Sequence, residues 1–224
     1  MGMKGKIALG AVVSFVVIGV VSANGNGNGD GSASDSGKHS SASAQNDSGG
    51  KKTQAAEKKA AFVGYGDFRV GSDVKPGTYR TTGNTDGMCY WERAKDAKGE
   101  TDSILANDNV SGTSYVTVKA TDKIFKSTGC KDWEAVDLKA KGTPASTMAG
   151  DGGMFRVGAD IAPGTYRSTG NTDDSCYWER AKDADHALRS IIANNNVTGT
   201  AVVTISASDG YFKTTGCKAW KKTG

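Results

Sequence analysis

Two histidines, three prolines and four cysteines are all that 224 residues contain of those types, and each scarcity excludes something. His39 lies in a Gly/Ser-rich tract that could not maintain catalytic geometry, and His186 stands alone. A Ser-His-Asp arrangement and a paired-histidine metal site are therefore both excluded. The cysteines form no Cys-x-x-Cys pair, the spacing that thiolate metal sites need, and none follows the N-terminal apolar run, so lipid attachment there is unavailable to this sequence. No segment shows helical periodicity of useful length. The formal charge of +4 is spread over 28 basic and 24 acidic residues without a dense basic stripe, which argues against nucleic acid, since a phosphate-tracking surface needs clustered Lys and Arg.

What is present is a duplication. Cys89-Tyr90-Trp91-Glu92-Arg93-Ala94-Lys95-Asp96-Ala97 returns 87 residues later, beginning at Cys176, and the same offset holds without a gap from Phe68/Phe155 to Trp133/Trp220 with 43 of 66 positions identical. Two tandem copies of one small domain are expected: residues 67–133 and 154–220, joined through a flexible linker at 134–153.

Upstream, Met1 to Lys6 carries two lysines, Ile7 to Val21 is apolar, and Val21-Ser22-Ala23 offers small residues for cleavage. This is the layout of a secretory signal peptide over residues 1–23. The rival reading is an uncleaved membrane anchor, although a run of about 15 residues is short for a span. Residues 24–66 are mostly Gly, Ser, Asn, Ala and Lys, too poor in apolar side chains to offset the entropy of ordering, and a disordered tether is expected.

Within each copy the pattern is of short strands cut by turns. Pro76-Gly77 suits a tight turn, Thr78–Thr82 is β-branched and aromatic, and Gly83–Gly87 forms a turn cluster. Met88–Lys95 alternates, with Cys89, Trp91 and Arg93 on one face and Tyr90, Glu92 and Ala94 on the other. Asn107-Asp108-Asn109 with Ser111-Gly112 resembles a loop, and in Thr113–Lys119 the valines Val116 and Val118 face the core while Tyr115 faces outward. The class is all-β: two small antiparallel sandwich or roll domains. Each copy holds one cysteine pair at a spacing of 41, so Cys89 with Cys130 and Cys176 with Cys217 is the pairing that lets one repeat fold alone. Closing such a loop contributes about 4 kcal/mol in the loop-entropy model, which matters to a domain too small to bury a large core.

Val157-Gly158-Ala159-Asp160-Ile161-Ala162-Pro163-Gly164-Thr165-Tyr166-Arg167, the Cys-Tyr-Trp-Glu-Arg segment, Ile191–Val197 and Gly216-Cys217 with Trp220 resemble a repeat found in exported proteins of actinobacteria. The resemblance covers both copies. It implies an exported location, secreted or at the cell surface, and brings no enzymatic mechanism or catalytic residue with it.

The residues themselves point to binding. Tyr90 and Tyr177, opposite the cysteine face, and Tyr115, expected outward, stand near Asn107, Asn109, Asn194 and Asn196. Exposed aromatics beside amides suit sugar stacking, and two copies on one chain gain from effective concentration on a polymer. The expected partner is a cell-wall or other polysaccharide or another extracellular protein, with a membrane only if the N-terminal segment stays uncleaved. No catalytic residue, metal or cofactor is expected. The competing expectation is an exported hydrolase or inhibitor domain using Glu92 and Glu179. Asp73, Asp96 and Asp122 add carboxylates, but acids at turns ordinarily satisfy backbone amides. The Asn107-Asp108-Asn109 triplet offers too few charges for a firm calcium site.

Overall fold

The computed structural model describes residues 60–224. The signal-peptide and anchor readings of residues 1–23, and the tether as far as residue 59, lie outside the described residues. Both repeats, the segment between them and the residues just before the first repeat belong to one compact unit.

The first repeat opens with β1 (Gly66–Arg69), followed by the 18-residue β2 (Gly77–Ala94), β3 (Ile104–Val118), β4 (Ile124–Thr128) and the short β5 (Glu134–Ala135). After β6 (Thr147–Met148), the second repeat runs β7 (Gly153–Arg156), β8 (Gly164–Ala181), β9 (Ile191–Ile205), β10 (Tyr211–Thr215) and β11 (Trp220–Lys222). In repeat 1 the strand order is β1-β4-β2-β3 with β5 also on β2. In repeat 2 it is β7-β10-β8-β11-β6 with β9 also on β8. All pairings between named strands of one repeat are antiparallel, and a parallel bridge, Thr113 to Gly153, links β3 to β7.

The architecture is all-β in two tandem domains, each with one disulfide: Cys89–Cys130 and Cys176–Cys217. Two expected breaks are absent. Gly83–Gly87 does not end a strand, and Asn107–Gly112 is not a loop; each lies inside a long strand that bends through register shifts between Thr81 and Cys89. Buried Asn84 holds the bend: its Nδ2 donates to the Gly112 carbonyl at 2.9 Å, and its Oδ1 accepts from the Lys131 amide at 2.8 Å. Asn171 repeats both bonds with Gly199 and Lys218. A bulged strand with an internal amide clamp thus replaces a turn, because the clamp satisfies the backbone groups that the bulge removes from the ladder.

Each core gathers around its disulfide. Trp91, Phe125 and Trp133 are fully buried with Cys89 in repeat 1, while Phe212 and Trp220 are buried with Cys176 in repeat 2. Trp133 Nε1 donates to Ser127 Oγ, and Trp220 Nε1 to Thr214 Oγ1, each at 2.9 Å, so neither indole carries an unmet donor into the core. Two stretches assigned to linkers are folded. Phe62 packs on Phe68, Tyr79 and Trp133, and the segment at 134–153 is tied down where Arg156 donates to the Asp137 and Ala140 carbonyls and Ala145 exchanges backbone bonds with Asp160 and Ala162. In both places an aromatic or a carbonyl-seeking guanidinium anchors chain that composition alone makes resemble coil.

Candidate functional site: the seam between the repeats

Residues from the outer face of β3 in repeat 1 are seated in a socket on repeat 2. Tyr115 is 2% exposed, packed among Met154, Ala181, Ala184 and Tyr211. Its hydroxyl donates to Asp160 Oδ2 at 2.7 Å. Burial, reinforced by that bond, pushes its pKa well above the ordinary tyrosine value. The backbone joins in: the Thr117 amide donates to the Ala184 carbonyl and the Thr113 amide to the Gly152 carbonyl, each at 2.9 Å, and His186 Nε2 donates to the Tyr115 carbonyl at 2.7 Å.

Charges frame the contact. Lys119 pairs with Asp185, Lys213 Nζ lies 2.6 Å from Asp108 Oδ2 with both side chains largely buried, and Arg93 Nη1 donates to the Asp185 carbonyl at 3.0 Å. Such pairs, well shielded and geometrically fixed, select a partner and register more than they add raw stability.

Glycine permits the close approach. A Cβ on Gly153, whose φ is +78°, would fall 2.1 Å from the Thr113 carbonyl oxygen, and one on Gly112 would fall 2.3 Å from that of Gly152. Gly199, the counterpart of Gly112 in repeat 2, has nothing among the described residues within 4 Å of its Cβ position, because neither repeat covers that face.

The expectation for Tyr115 is thereby corrected. It does point away from the core of its own repeat, as alternation requires, but repeat 2 covers it. Tyr90 and Tyr177 are half-buried. Tyr90 Oη donates to Glu92 Oε2 at 2.5 Å and accepts from Asn107 Nδ2 at 3.3 Å, and Tyr177 forms the same pair of bonds with Glu179 and Asn194 at 2.6 and 3.2 Å. Burial first, and the neighbouring Glu92 carboxylate second, push the Tyr90 phenol up to about 12. Asn109 and Asn196 are exposed on β3 and β9, paired in register with Tyr90 and Tyr177. The structure therefore unites Tyr, Glu and Asn in each repeat and removes Tyr115 from that set.

The remaining carboxylates have structural partners. Asp122 grips Arg93 through two bonds at 2.6 and 3.0 Å, Asp209 grips Arg180 in the same way, Asp73 accepts from the Arg69 amide, and Asp96 accepts from Ser103 Oγ. Asp108 of the Asn-Asp-Asn triplet is committed to Lys213. Among the described residues no three His, Cys, Asp or Glu side chains are grouped to hold a metal ion.

Sequence reasoning passed over Arg93, Asp185, Lys213 and Asp160. Arg93, Lys213 and Asp160 are shared with the other copy as Arg180, Lys126 and Asp73 and gave no signal; for the rest of the seam the available signal was the map of differences between copies. Asp185, His186, Met154 and Tyr211 stand where repeat 1 has Lys98, Gly99, Asp67 and Ile124, and Tyr115, Lys119 and Asp108 stand where repeat 2 has Val202, Ser206 and Asn195. The seam is built largely from positions at which two otherwise similar domains disagree.

The geometry defines a class: an all-β tandem-repeat protein whose second domain holds the first by its outer strand face. The chain belongs to the Rv1352-like extracellular domain family, matched twice, over residues 60–134 and 146–221. It is similar to uncharacterized protein Rv1352 and uncharacterized protein MT1395 of Mycobacterium tuberculosis and to uncharacterized protein Mb1387 of Mycobacterium bovis. Each is 30% identical over 95 residues, covering 37% of this chain and 76% of the relative. No solved structure matches. The location is accordingly extracellular.

Proposed function

We propose that the protein is a non-catalytic extracellular binding module whose repeats recognise extended polypeptide presented by another protein. The observation that carries this is the seam itself, where one repeat holds strand backbone, an aromatic side chain and flanking charges together. This joins strand-adding recognition with side-chain pockets. The hydrolase alternative is weakened by the commitments of its carboxylates: Glu92 and Glu179 each accept from a tyrosine two residues away.

A second reading, a polysaccharide ligand, is favoured by one residue. Trp178 is only partly buried, unlike its fully buried counterpart Trp91, and Ala201 stands where Ser114 accepts from Trp91 Nε1, so that bond has no counterpart. A partly exposed indole paired in register with exposed Asn195 suits sugar stacking.

The test is retention of the immobilised chain's ligands from two purified sources, surface proteins of the producing cell and insoluble wall glycan, with turnover assayed in parallel. Retention of a defined protein without chemical change supports the proposal. Retention on glycan that Trp178→Ala abolishes would transfer the function to the second reading, and turnover lost in Glu92→Gln or Glu179→Gln would replace both with the enzyme.

A further inference from the structure

The socket that repeat 2 uses to hold Tyr115 has a counterpart in repeat 1, and among the described residues nothing fills it. A cavity of about 280 Å³ lies there, with Ala94, Ala97 and Ile124 where Ala181, Ala184 and Tyr211 surround the tyrosine ring. The apolar lining persists, but its chemistry has changed. Asp67 replaces Met154, and Glu100 replaces Ala187, adding two carboxylates to Glu92 and Asp96, which both repeats share as Glu179 and Asp183. Against these four acids the cavity wall carries two cations, Arg69 and Lys126. Ile124 also removes the ring that Tyr211 sets 5.2 Å from Tyr115. A pocket with an apolar floor, an acidic rim and no aromatic neighbour suits a long basic side chain, whose methylene stem packs while its charge stays at the rim.

The outer edge has changed as well. Asp185, which pairs with the lysine four residues after the guest tyrosine, is replaced by Lys98, so this edge calls for an acid where its twin calls for a base. The Ala97 carbonyl stands where the Ala184 carbonyl accepts the guest strand's Thr117 amide.

We infer that this open socket binds an extended polypeptide segment of another protein carrying Arg or Lys at the place Tyr115 takes in the second socket, and Asp or Glu four residues later. The inference rests on reading the repeat as a strand-binding module and names the partner of that module. A second copy of this chain is a poor occupant. Its uncovered β9 face presents Val202, 58% exposed, with Ser206 and Asn195 in place of Lys119 and Asp108, and so offers no cation at the guest position. The seam is a heterologous contact that could otherwise propagate from chain to chain, and these differences stop it after one step.

The experiment is an amide NMR titration of the full chain with synthetic peptides covering Gly112–Lys119. One peptide carries Tyr115→Arg with Lys119→Glu, one keeps the native sequence, and one carries Tyr115→Glu with Lys119→Glu. The expected result is saturable shifts centred on Ala97, Gly99 and Ile124 for the first peptide, with affinity at least about tenfold above the other two. The same affinity should fall about tenfold or more in the chain variant Asp67→Asn with Glu100→Gln, two exposed positions whose change leaves the core intact. Absence of saturable shifts up to about 10 mM, equal response to the acidic peptide, or self-association of the chain through these residues overturns the assignment. Retention of a surface protein that survives Asp67→Asn with Glu100→Gln overturns the socket alone and leaves the binding-module reading standing.

Discussion

His186 shows how one side chain can report on the seam. Its ring meets Trp91 edge-on at 4.7 Å while its Nε2 donates across the repeats. Burial lowers its pKa, with Asp108 and Glu179 acting to raise it and Lys213 to lower it further. Because the folded state disfavours the protonated ring, the unfolded state binds more protons as pH falls, and stability must fall with it. Stability to denaturant should therefore hold above about pH 6.5 and decline below it. His186→Gln should flatten that decline, and an unchanged acid profile in the variant would remove His186 from the account. At this scale the sequence was only half legible. Alternation correctly assigned Tyr115 to the outer face of its strand, but outward from one domain is inward to the next, and nothing local to Tyr115 distinguishes water from Tyr211. His186 stood out as an oddity opposite Gly99, without any local sign of what it touched.

Among the elements, β2 and β8 carry the most. Each begins beside the last strand of its repeat, bends at a clamped asparagine and ends in the Cys-Tyr-Trp-Glu-Arg segment, where alternation sends Trp91 and Arg93 inward. The arginine is neutralised by an aspartate before β4 or β10, and the two copies differ in shielding: Arg93 and Asp122 side chains are 5% and 0% exposed, against 22% and 1% for Arg180 and Asp209. Removing one partner of a well-buried pair leaves an uncompensated charge, at a cost of about 3–5 kcal/mol. Asp122→Ala should fall in that range by chemical denaturation, and Asp209→Ala should cost less because water reaches Arg180. Equal costs would show that the covering by repeat 2 has no energetic weight. Strand existence was legible from β-branched and aromatic runs. Strand continuity was not, because Gly83-Asn84-Thr85-Asp86-Gly87 has turn composition and only the distant Gly112 and Lys131 reveal what Asn84 does.

For the whole molecule, duplication makes the two domains and both disulfides readable in the sequence, since equal cysteine spacing leaves one pairing compatible with self-contained repeats. The relation between the domains was hidden for the same reason: a repeat is recognised by what its copies share, while the seam depends largely on what they do not. Lys98 against Asp185, Val202 against Tyr115 and Asp67 against Met154 make one socket full and the other empty, which turns a duplicated fold into a chain with two different faces. The central claim is that repeat 2 holds repeat 1 through Tyr115. A double-mutant cycle of Tyr115→Phe and Asp160→Asn, read by equilibrium denaturation of the full chain, tests it most directly. The account predicts a coupling of about 0.5–3 kcal/mol between these residues of different repeats. Strictly additive effects would mean that the two side chains do not meet and would contradict it.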